Sequence, residues 1–350
     1  MSRRGQFGFL SLTFCSEGSY PLAKVKIAGI QLKAEISDNS EGLESWPEPE
    51  SRDAESVYAE EKHMPGYNGI SRLWIDKKVA NPFVPLFSGL NCEAFFDGSG
   101  FSLEPRWVNG DRKAAPAPSK VESLSSSSAR LIIEQGNQFI VRCEVVFAIE
   151  EPGSIDISIE VTPFRSDYEG GYVGVLWPNY MDRPTDQQAY VPVRDAETGQ
   201  IRWKGCFEAS NGGGCVYQLE DTARRFSTPQ GEGAYHPAIY SVSKDGLMCP
   251  VFFGRLKGHL FAMMLDPPES VRLCFNPNGG GPGCPAWDFQ TMIVEPKPRE
   301  THRFRGRMIF GPLALSRSLL EKYRAWSGRD VTATVPSVPK ELTEKIRNQG

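Results

Sequence analysis

The chain has 350 residues, of which 40% are hydrophobic, with 34 glycines and 27 prolines. That length and apolar content can bury a large core, as one large domain or two smaller ones, and the glycine and proline content fits many turns between short strands. A formal charge of −4 without a long basic run argues against a nucleic-acid partner.

The first residues, MSRRGQFGFLSLTFCSEG, set two arginines before a short apolar run. Ser11 and Thr13 interrupt that run and no A-x-A cleavage site follows, so the expected location is cytoplasmic, with secretion as the alternative. Residues 1–19 read as an N-terminal extension and 20–328 as a single β domain. No stretch is long enough to span a membrane, and no membrane partner is expected.

Residues 25–36 alternate between apolar and polar, with a phase shift at Ala28 and Gly29 that predicts a bulge. Residues 37–65 are acidic and proline-bearing and read as a mobile insertion. Residues 113–128, ending in SLSSSS, read as a flexible connector. The clearest element is a hairpin: 139–149 and 155–161 alternate with period 2 about a turn at Pro152 and Gly153. Further strands are expected at 70–76, 130–134, 172–177, 189–193, 201–207, 239–242, 250–255, 259–266, 271–275, 287–295 and 302–310. Near the end, Leu315, Leu319, Leu320, Tyr323 and Trp326 fall at helical spacing, with Ser316 to cap the start and Gly328 to stop the helix. Residues 329–350 read as a flexible tail.

Strand after strand with little helix between them predicts an antiparallel all-β fold. About fifteen strands exceed an immunoglobulin-type sandwich, and two broad sheets stacked face to face hold them better. A propeller needs a blade repeat, which the chain lacks.

Eight cysteines, at 15, 92, 143, 206, 215, 249, 274 and 284, include no CxxC pair, which removes zinc-finger and thioredoxin-like readings. Mostly reduced thiols are expected, since a large core needs no staples, although Cys206 and Cys215 could close a small loop.

Two stretches carry chemistry: 66–100 and NPNGGGPGCPAWDFQ at 276–290. Each sets aromatic rings beside amides, carboxylates and glycines, a mixture that suits a sugar, whose C–H faces meet flat apolar groups and whose hydroxyls meet fixed polar ones. The runs GYNGISRLW, NPFVPLFSGLNCEAFFDG, YVGVLWPNYMDRPTDQQAYV, HPAIYSV and CPAWDFQTMIVEP, in that order, resemble the galactose mutarotase-like group. The chain looks most like uncharacterised bacterial members of that group. The resemblance covers residues 20–328 and implies an antiparallel β-supersandwich with one C-terminal helix here and a concave sheet that holds a carbohydrate. The group includes sugar epimerases, and related domains occur in polysaccharide lyases and glycoside phosphorylases; fold alone does not choose among them.

Mutarotation needs one group to protonate the ring oxygen and another to take the anomeric proton, and the resemblance implies histidine and glutamate in these roles. Of four histidines, His63 lies in the acidic stretch, His259 follows Gly258 at a turn, and His302 alternates with Phe304, Met308 and Phe310 as a packed side chain. His236, in GAYHPAIY, is the best candidate, against a plain structural role. Glu93, between Asn91 and an aromatic pair, is the favoured base, with a structural ion pair as the alternative. Arg106 is a further electrophilic or acidic partner, and Glu104 a sugar contact, unless the two simply pair with each other.

Asn91, Tyr180 and Arg183 are candidate hydroxyl contacts, the last two on a polar loop after a strand. Asp288 and Gln290 join them if their strand turns that face toward the ligand. Arg303, Arg305 and Arg307 line one strand face, where pairing with acidic neighbours is expected over contact with an anionic polysaccharide.

No nucleophile elbow, HExxH, EF-hand loop, phosphate loop or dinucleotide fingerprint occurs, so neither metal nor cofactor is expected. The expected partner is a carbohydrate ligand, bound either by an acid–base sugar enzyme (an epimerase, lyase or hydrolase) or by a non-catalytic carbohydrate-binding module. A structural or interaction protein is the third reading. The sugar and the oligomeric state are open.

Overall fold

The computed structural model describes residues 24–29, 31–38, 68–75, 81–84, 88–103, 105, 118–150, 152–206, 215–219, 237–256 and 258–343. Among them, nineteen strands form three sheets. Every strand pair is antiparallel.

The spine is the hairpin of Val141–Glu150 and Ser154–Pro163. Its register pairs Ile149 with Ile155 and Val145 with Ile159. Burial alternates residue by residue along Val141–Glu150, as one core face and one wetter face require. Gly153, at φ +71°, makes the turn. This hairpin sits inside a ten-stranded sheet that runs from Ile201–Gly205 at one edge to Ser119–Ser123 at the other. A six-stranded sheet lies against it, in the order Val216–Tyr217, Val271–Asn276, Ala286–Val294, Tyr172–Trp177, Ala94–Phe96 and Phe101–Ser102.

The facing sides of the two sheets fill one apolar cluster, in which Val145, Phe147, Ile157 and Phe261 meet Val175, Trp177, Trp287 and Phe289. Phe261 and Trp287 touch across the layers with ring centroids 6.1 Å apart, and Phe252 meets Phe275 edge-on at 5.4 Å. Each such side chain contributes roughly 1.5–3 kcal/mol by leaving water. The architecture is therefore the antiparallel β-supersandwich expected from the sequence. A small third sheet, Lys24–Ala28, Lys33–Ser37 and Gly69–Trp74, adds Ile27, Ile36, Ile70 and Leu73 to the same core.

The C-terminal helix, Leu319–Ser327, lays Leu319, Leu320 and Tyr323 on the far side of the ten-stranded sheet, against Val251, Phe253, Leu260 and Met264. Gly328, in the left-handed conformation, ends it. No helix among the described residues is long and apolar enough to cross a membrane.

Several expectations change. The phase shift at Ala28 is a turn between two strands, closed by Gly29 N–H donating to Leu32 O, and the register shift lies later, between Glu35 and Ile36. Ser119–Ser123, inside the expected connector, is an edge strand. The serine run is its hairpin loop, where Ser125 Oγ accepts the N–H of Ser127 and meets the Ser128 hydroxyl. The stretch 239–242 is not a strand; Pro237–Tyr240 is a helical turn held by tertiary contacts, with the Tyr240 hydroxyl donating to Asp97 O at 2.6 Å. The helix starts at Leu319 rather than near Ser316, whose hydroxyl bonds Leu313 O in a preceding 3-10 segment. Part of the expected tail is packed: Val335 and Val338 are buried beneath the helix cluster, and Trp203 Nε1 donates to Pro336 O at 2.9 Å. Of the expected acidic insertion, Ser37 and Asp38 belong to the fold, with Asp38 Oδ2 accepting Val121 N–H; residues 39–65 lie outside the described residues, as do 344–350 and 1–19.

Candidate functional site

Alternation along Ala286–Val294 sends Trp287 and Phe289 into the core between the sheets and turns Asp288 and Gln290 to the opposite side of the six-stranded sheet. Register then builds a row across that outer face: Arg272 pairs with Gln290, Gln290 with Leu176, and Leu176 with Ala94. One step along, Cys274 stands opposite Asp288. Phe96, Tyr172, Ile239 and Tyr240 pack on the same face.

Glu93 extends this sheet past Ala94, its N–H donating to Leu176 O at 3.0 Å. Tyr180 forms a bridge with Ala286 and packs beside it, two residues before Asp288 and on the same side. The Tyr180 hydroxyl donates to Glu93 Oε2. Glu93 and Asp288, from distant parts of the chain, are thus near neighbours beside Tyr180.

Asn179 joins them. Its Oδ1 accepts Leu90 N–H at 2.9 Å, and its Nδ2 donates to Trp287 O at 2.8 Å. Its own N–H donates to Asp288 Oδ1 at 2.9 Å. Leu90 sits at φ +50°, a conformation costly for a branched side chain, and this amide is one of the contacts that hold it.

Burial pushes the Asp288 carboxyl well above the ordinary carboxylate range, and the nearby charge of Glu93 pushes it further, against the opposing effect of the Asn179 N–H. The Asp288 proton is therefore held tightly, next to Glu93. Cys274, its cross-strand neighbour, is also raised, by burial first and then by Asp288. Arg272 lies buried with Nε donating to Gln290 Oε1 at 2.7 Å and a terminal nitrogen donating to Ile239 O at 3.0 Å. Burial lowers its guanidinium to about 10. Its guanidinium stands 5.6 Å from the centroid of the Phe96 ring.

Glu93 is 7% exposed, against 4% for Tyr180, 3% for Asp288 and 0% for Asn91 and Gln290. It is the member of the group nearest to solvent, and the others form its support. Asn91 donates from Nδ2 to Ser88 O, while its Oδ1 is buried with no hydrogen-bond partner among the described residues. Gln290 and Asp288 lie on the outer side of this sheet, where Gln290 Oε1 accepts from Arg272 Nε and Asp288 Oδ1 accepts the Asn179 N–H. Arg183 stands exposed in the turn after Tyr180, and no hydrogen bond among the described residues links it to Glu93. His236, Glu104 and Arg106 lie outside the described residues.

Arg303, Arg305 and Arg307 bond Glu160, Asp266 and Asp156, the paired arrangement expected for them. Among the described residues, no group of three or more histidine, cysteine or acidic side chains is placed to hold a metal ion. Among the described residues no disulfide joins the cysteines, Cys206 and Cys215 included.

Asn179, Arg272 and Cys274 are site residues that the sequence reading passed over. Arg272 carried a usable signal: a lone cation inside the apolar strand VRLCFN. Asn179 carried none, since its role depends on contacts about ninety and more than a hundred positions away.

No protein-family profile matches the chain, and no curated protein matches it. Among solved structures, a galactose mutarotase-like protein from Lactobacillus casei is 11% identical over 82% of this chain and 100% of its own, with a TM-score of 0.40. Galactose 1-epimerase from Lactobacillus acidophilus is 9% identical over 86% of this chain and 98% of its own, at 0.42. Alpha-N-acetylgalactosaminidase NagBb from Bifidobacterium bifidum is 13% identical over 87% of this chain and 38% of its own, at 0.47. The strand pairing, rather than these likenesses, carries the architecture.

Proposed function

We propose that the chain binds a saccharide over the outer face of the six-stranded sheet and moves a proton on it, with Glu93 as the base. The observation that carries this reading is the Tyr180–Glu93 hydrogen bond beside Asp288, whose proton is tightly held. A carboxyl group whose proton is held by burial is a fixed acid, and it leaves the neighbouring carboxyl as the proposed acceptor. Tyr180 orients the acceptor, and Asp288 keeps the second charge out of the site. His236 or Arg106 is the proposed acidic or electrophilic partner across the sugar ring, and Glu104 and Arg183 are proposed hydroxyl contacts. Phe96, Tyr172 and Tyr240 are buried on this side of the sheet and support its floor from within rather than stacking on a ligand. The sequence resemblance supports an acid–base reaction on a sugar or glycoside, with an epimerase, a lyase and a hydrolase as the candidate activities.

A panel of reducing sugars observed by NMR tests this, with binding read from line broadening and turnover from exchange between anomers. Exchange accelerated by the wild type and lost in Glu93→Gln, with binding retained, is the expected result. Binding without acceleration for every sugar rejects the enzyme and leaves a carbohydrate-binding module. That second reading has an observation of its own: Asp288 and Gln290 direct their oxygens to protein groups.

A further inference from the structure

We propose that Asn179 is a positioning residue that sets the spacing between the carboxyl groups of Glu93 and Asp288. The proposal deepens the reading of Glu93 as the base and rests on it for its catalytic meaning. Its structural content stands on the hydrogen bonds alone.

Glu93 and Asp288 come from parts of the chain that no local structure connects. Glu93 follows the loop 88–92, and Asp288 lies within Ala286–Val294. Between them runs the stretch after Tyr172–Trp177, and Asn179 is where that stretch touches both. Toward the loop it pairs with Gly89 as a bridge and accepts Leu90 N–H on its side-chain oxygen. Toward the strand its backbone carbonyl accepts Trp287 N–H at 3.0 Å, its side-chain nitrogen donates to Trp287 O, and its backbone N–H donates to Asp288. The side chain is fully buried, so water does not compete for these bonds.

Asparagine fits this place for a definite reason. The loop presents a donor and the strand an acceptor, and only a side chain with both functions on one short rigid plane meets them together. Aspartate keeps the acceptor and turns a second oxygen on the Trp287 carbonyl. Serine can donate and accept, but from a single short oxygen that must serve both partners. The next residue, Tyr180, donates to Glu93, so Asn179 also fixes the origin of the phenol that aims the base. A loop that drifts from the strand carries Glu93 away from Asp288, and the repulsion that helps to hold the Asp288 proton weakens with distance.

The test is the carboxyl carbon signal of Asp288, assigned with Asp288→Asn and followed through a pH titration in protein carrying 13C-labelled aspartate. No sugar is needed, so the outcome is separate from the sugar panel. A wild type inactive on every sugar sinks the enzyme reading and leaves this result standing. In Glu93→Gln, the titration midpoint of Asp288 falls because the neighbouring charge is gone. In Asn179→Ala, it falls as well while unfolding stays cooperative. In the double variant, the effects are less than additive, since a displaced loop has little coupling left to lose. A midpoint in Asn179→Ala equal to that of the wild type, or strictly additive shifts, overturns the proposal. If Asn179→Ala does not fold, Asn179→Ser is read in the same way. If neither folds, Glu93→Gln decides: an unmoved Asp288 midpoint means there is no spacing to set, and a lowered one upholds the coupling that the clamp serves.

Discussion

Gly254 lies flat against the indole of Trp287: a Cβ built on it falls 2.0 Å from the Trp287 Cη2 atom. The two sheets approach through this contact, and Trp287 Nε1 reaches on to donate to Gln187 O at 3.1 Å. Adding one methyl group forces either the ring or the strand Val251–Leu256 to move. Gly254→Ala is expected to lose about 1–3 kcal/mol, the range for overpacking a filled core. A urea denaturation midpoint equal to that of the wild type contradicts this. Because Trp287 precedes Asp288 in the strand, the variant is also expected to perturb the candidate site.

Tyr180→Phe isolates the hydroxyl that holds Glu93. The ring keeps its place among Val84, Cys284 and Ala286, so packing is retained while a nearly buried carboxylate loses a donor. The expected cost is on the order of 1–3 kcal/mol, the penalty for removing one partner of a buried polar pair. Chemical denaturation measures it. Parallel loss of anomeric exchange, with sugar binding kept, separates orientation of the base from bulk stability. Unchanged stability and unchanged exchange together would remove Tyr180 from the site.

The legible parts of this protein are those where neighbours in sequence decide the structure. The hairpin about Pro152 and Gly153 alternates strictly, and each strand is long enough to show its period. Gly328 marks a helix end by its own conformation. Ala94–Phe96 is three residues long and all buried, so it has no period to read. Ser119–Ser123 hides in a polar stretch because an edge strand with one exposed side needs few apolar residues. At the candidate site, Glu93 and Asp288 each lie in a stretch that mixes aromatic and polar residues, which is a signal the sequence carries. The distribution of hydrogen bonds around them is not, because whether Asp288 faces a ligand or Asn179 is decided by a residue more than a hundred positions away.

The stability of the fold carries a pH dependence traceable to Asp288. The folded protein keeps this proton to a pH well above the ordinary carboxyl value of 3.8 at which an unfolded chain releases it. Above that value, the folded state binds more protons than the unfolded state, so this group makes stability fall as pH rises toward the folded midpoint. Below it, both states are protonated and nothing is lost. Asp288→Asn removes the titration and keeps an oxygen that can accept the Asn179 N–H. Denaturation at about pH 4 and about pH 8 is expected to show the variant gaining on the wild type as pH rises, with a slope of at most about 1.4 kcal/mol per pH unit. A wild-type-to-variant difference that stays constant across the range rules out a raised Asp288.

The thiols are expected to be slow to react in the folded protein. Burial raises Cys249 to about 12 and Cys215 to about 11. Cys92 is raised by burial and by its hydrogen-bonded neighbour Cys143. The thiolate is the nucleophile, and these sites hold little of it near neutral pH. Iodoacetamide labelling followed by peptide mass spectrometry is expected to leave Cys92, Cys249 and Cys274 unmodified until denaturant is added. Fast labelling of Cys249 in the native protein would mean that the helix cluster above it opens readily.

The segment after the helix closes that same cluster, and deleting it should cost stability. Arg329 Nε donates to Asp266 Oδ1 at 2.8 Å and anchors the chain as it leaves Gly328. Asp266 is shared with Arg305, so the anchor joins the segment to the strand His302–Pro312. Beyond it, Val335 and Val338 cover Trp203 and the helix, and the indole of Trp203 spends its one donor on Pro336 O. The buried valines and the Trp203 hydrogen bond favour the packed segment while ordering it opposes, and the expected net loss on deletion is the roughly 0.5–3 kcal/mol typical of removing a local packed feature. A chain ending at residue 330 keeps Arg329 and loses the valines and the carbonyl. It is expected to unfold about 2 kcal/mol more easily and to bind a hydrophobic dye that the full chain does not. An unaltered denaturation midpoint without dye binding would show that residues 331–343 rest on the sheet without stabilising it.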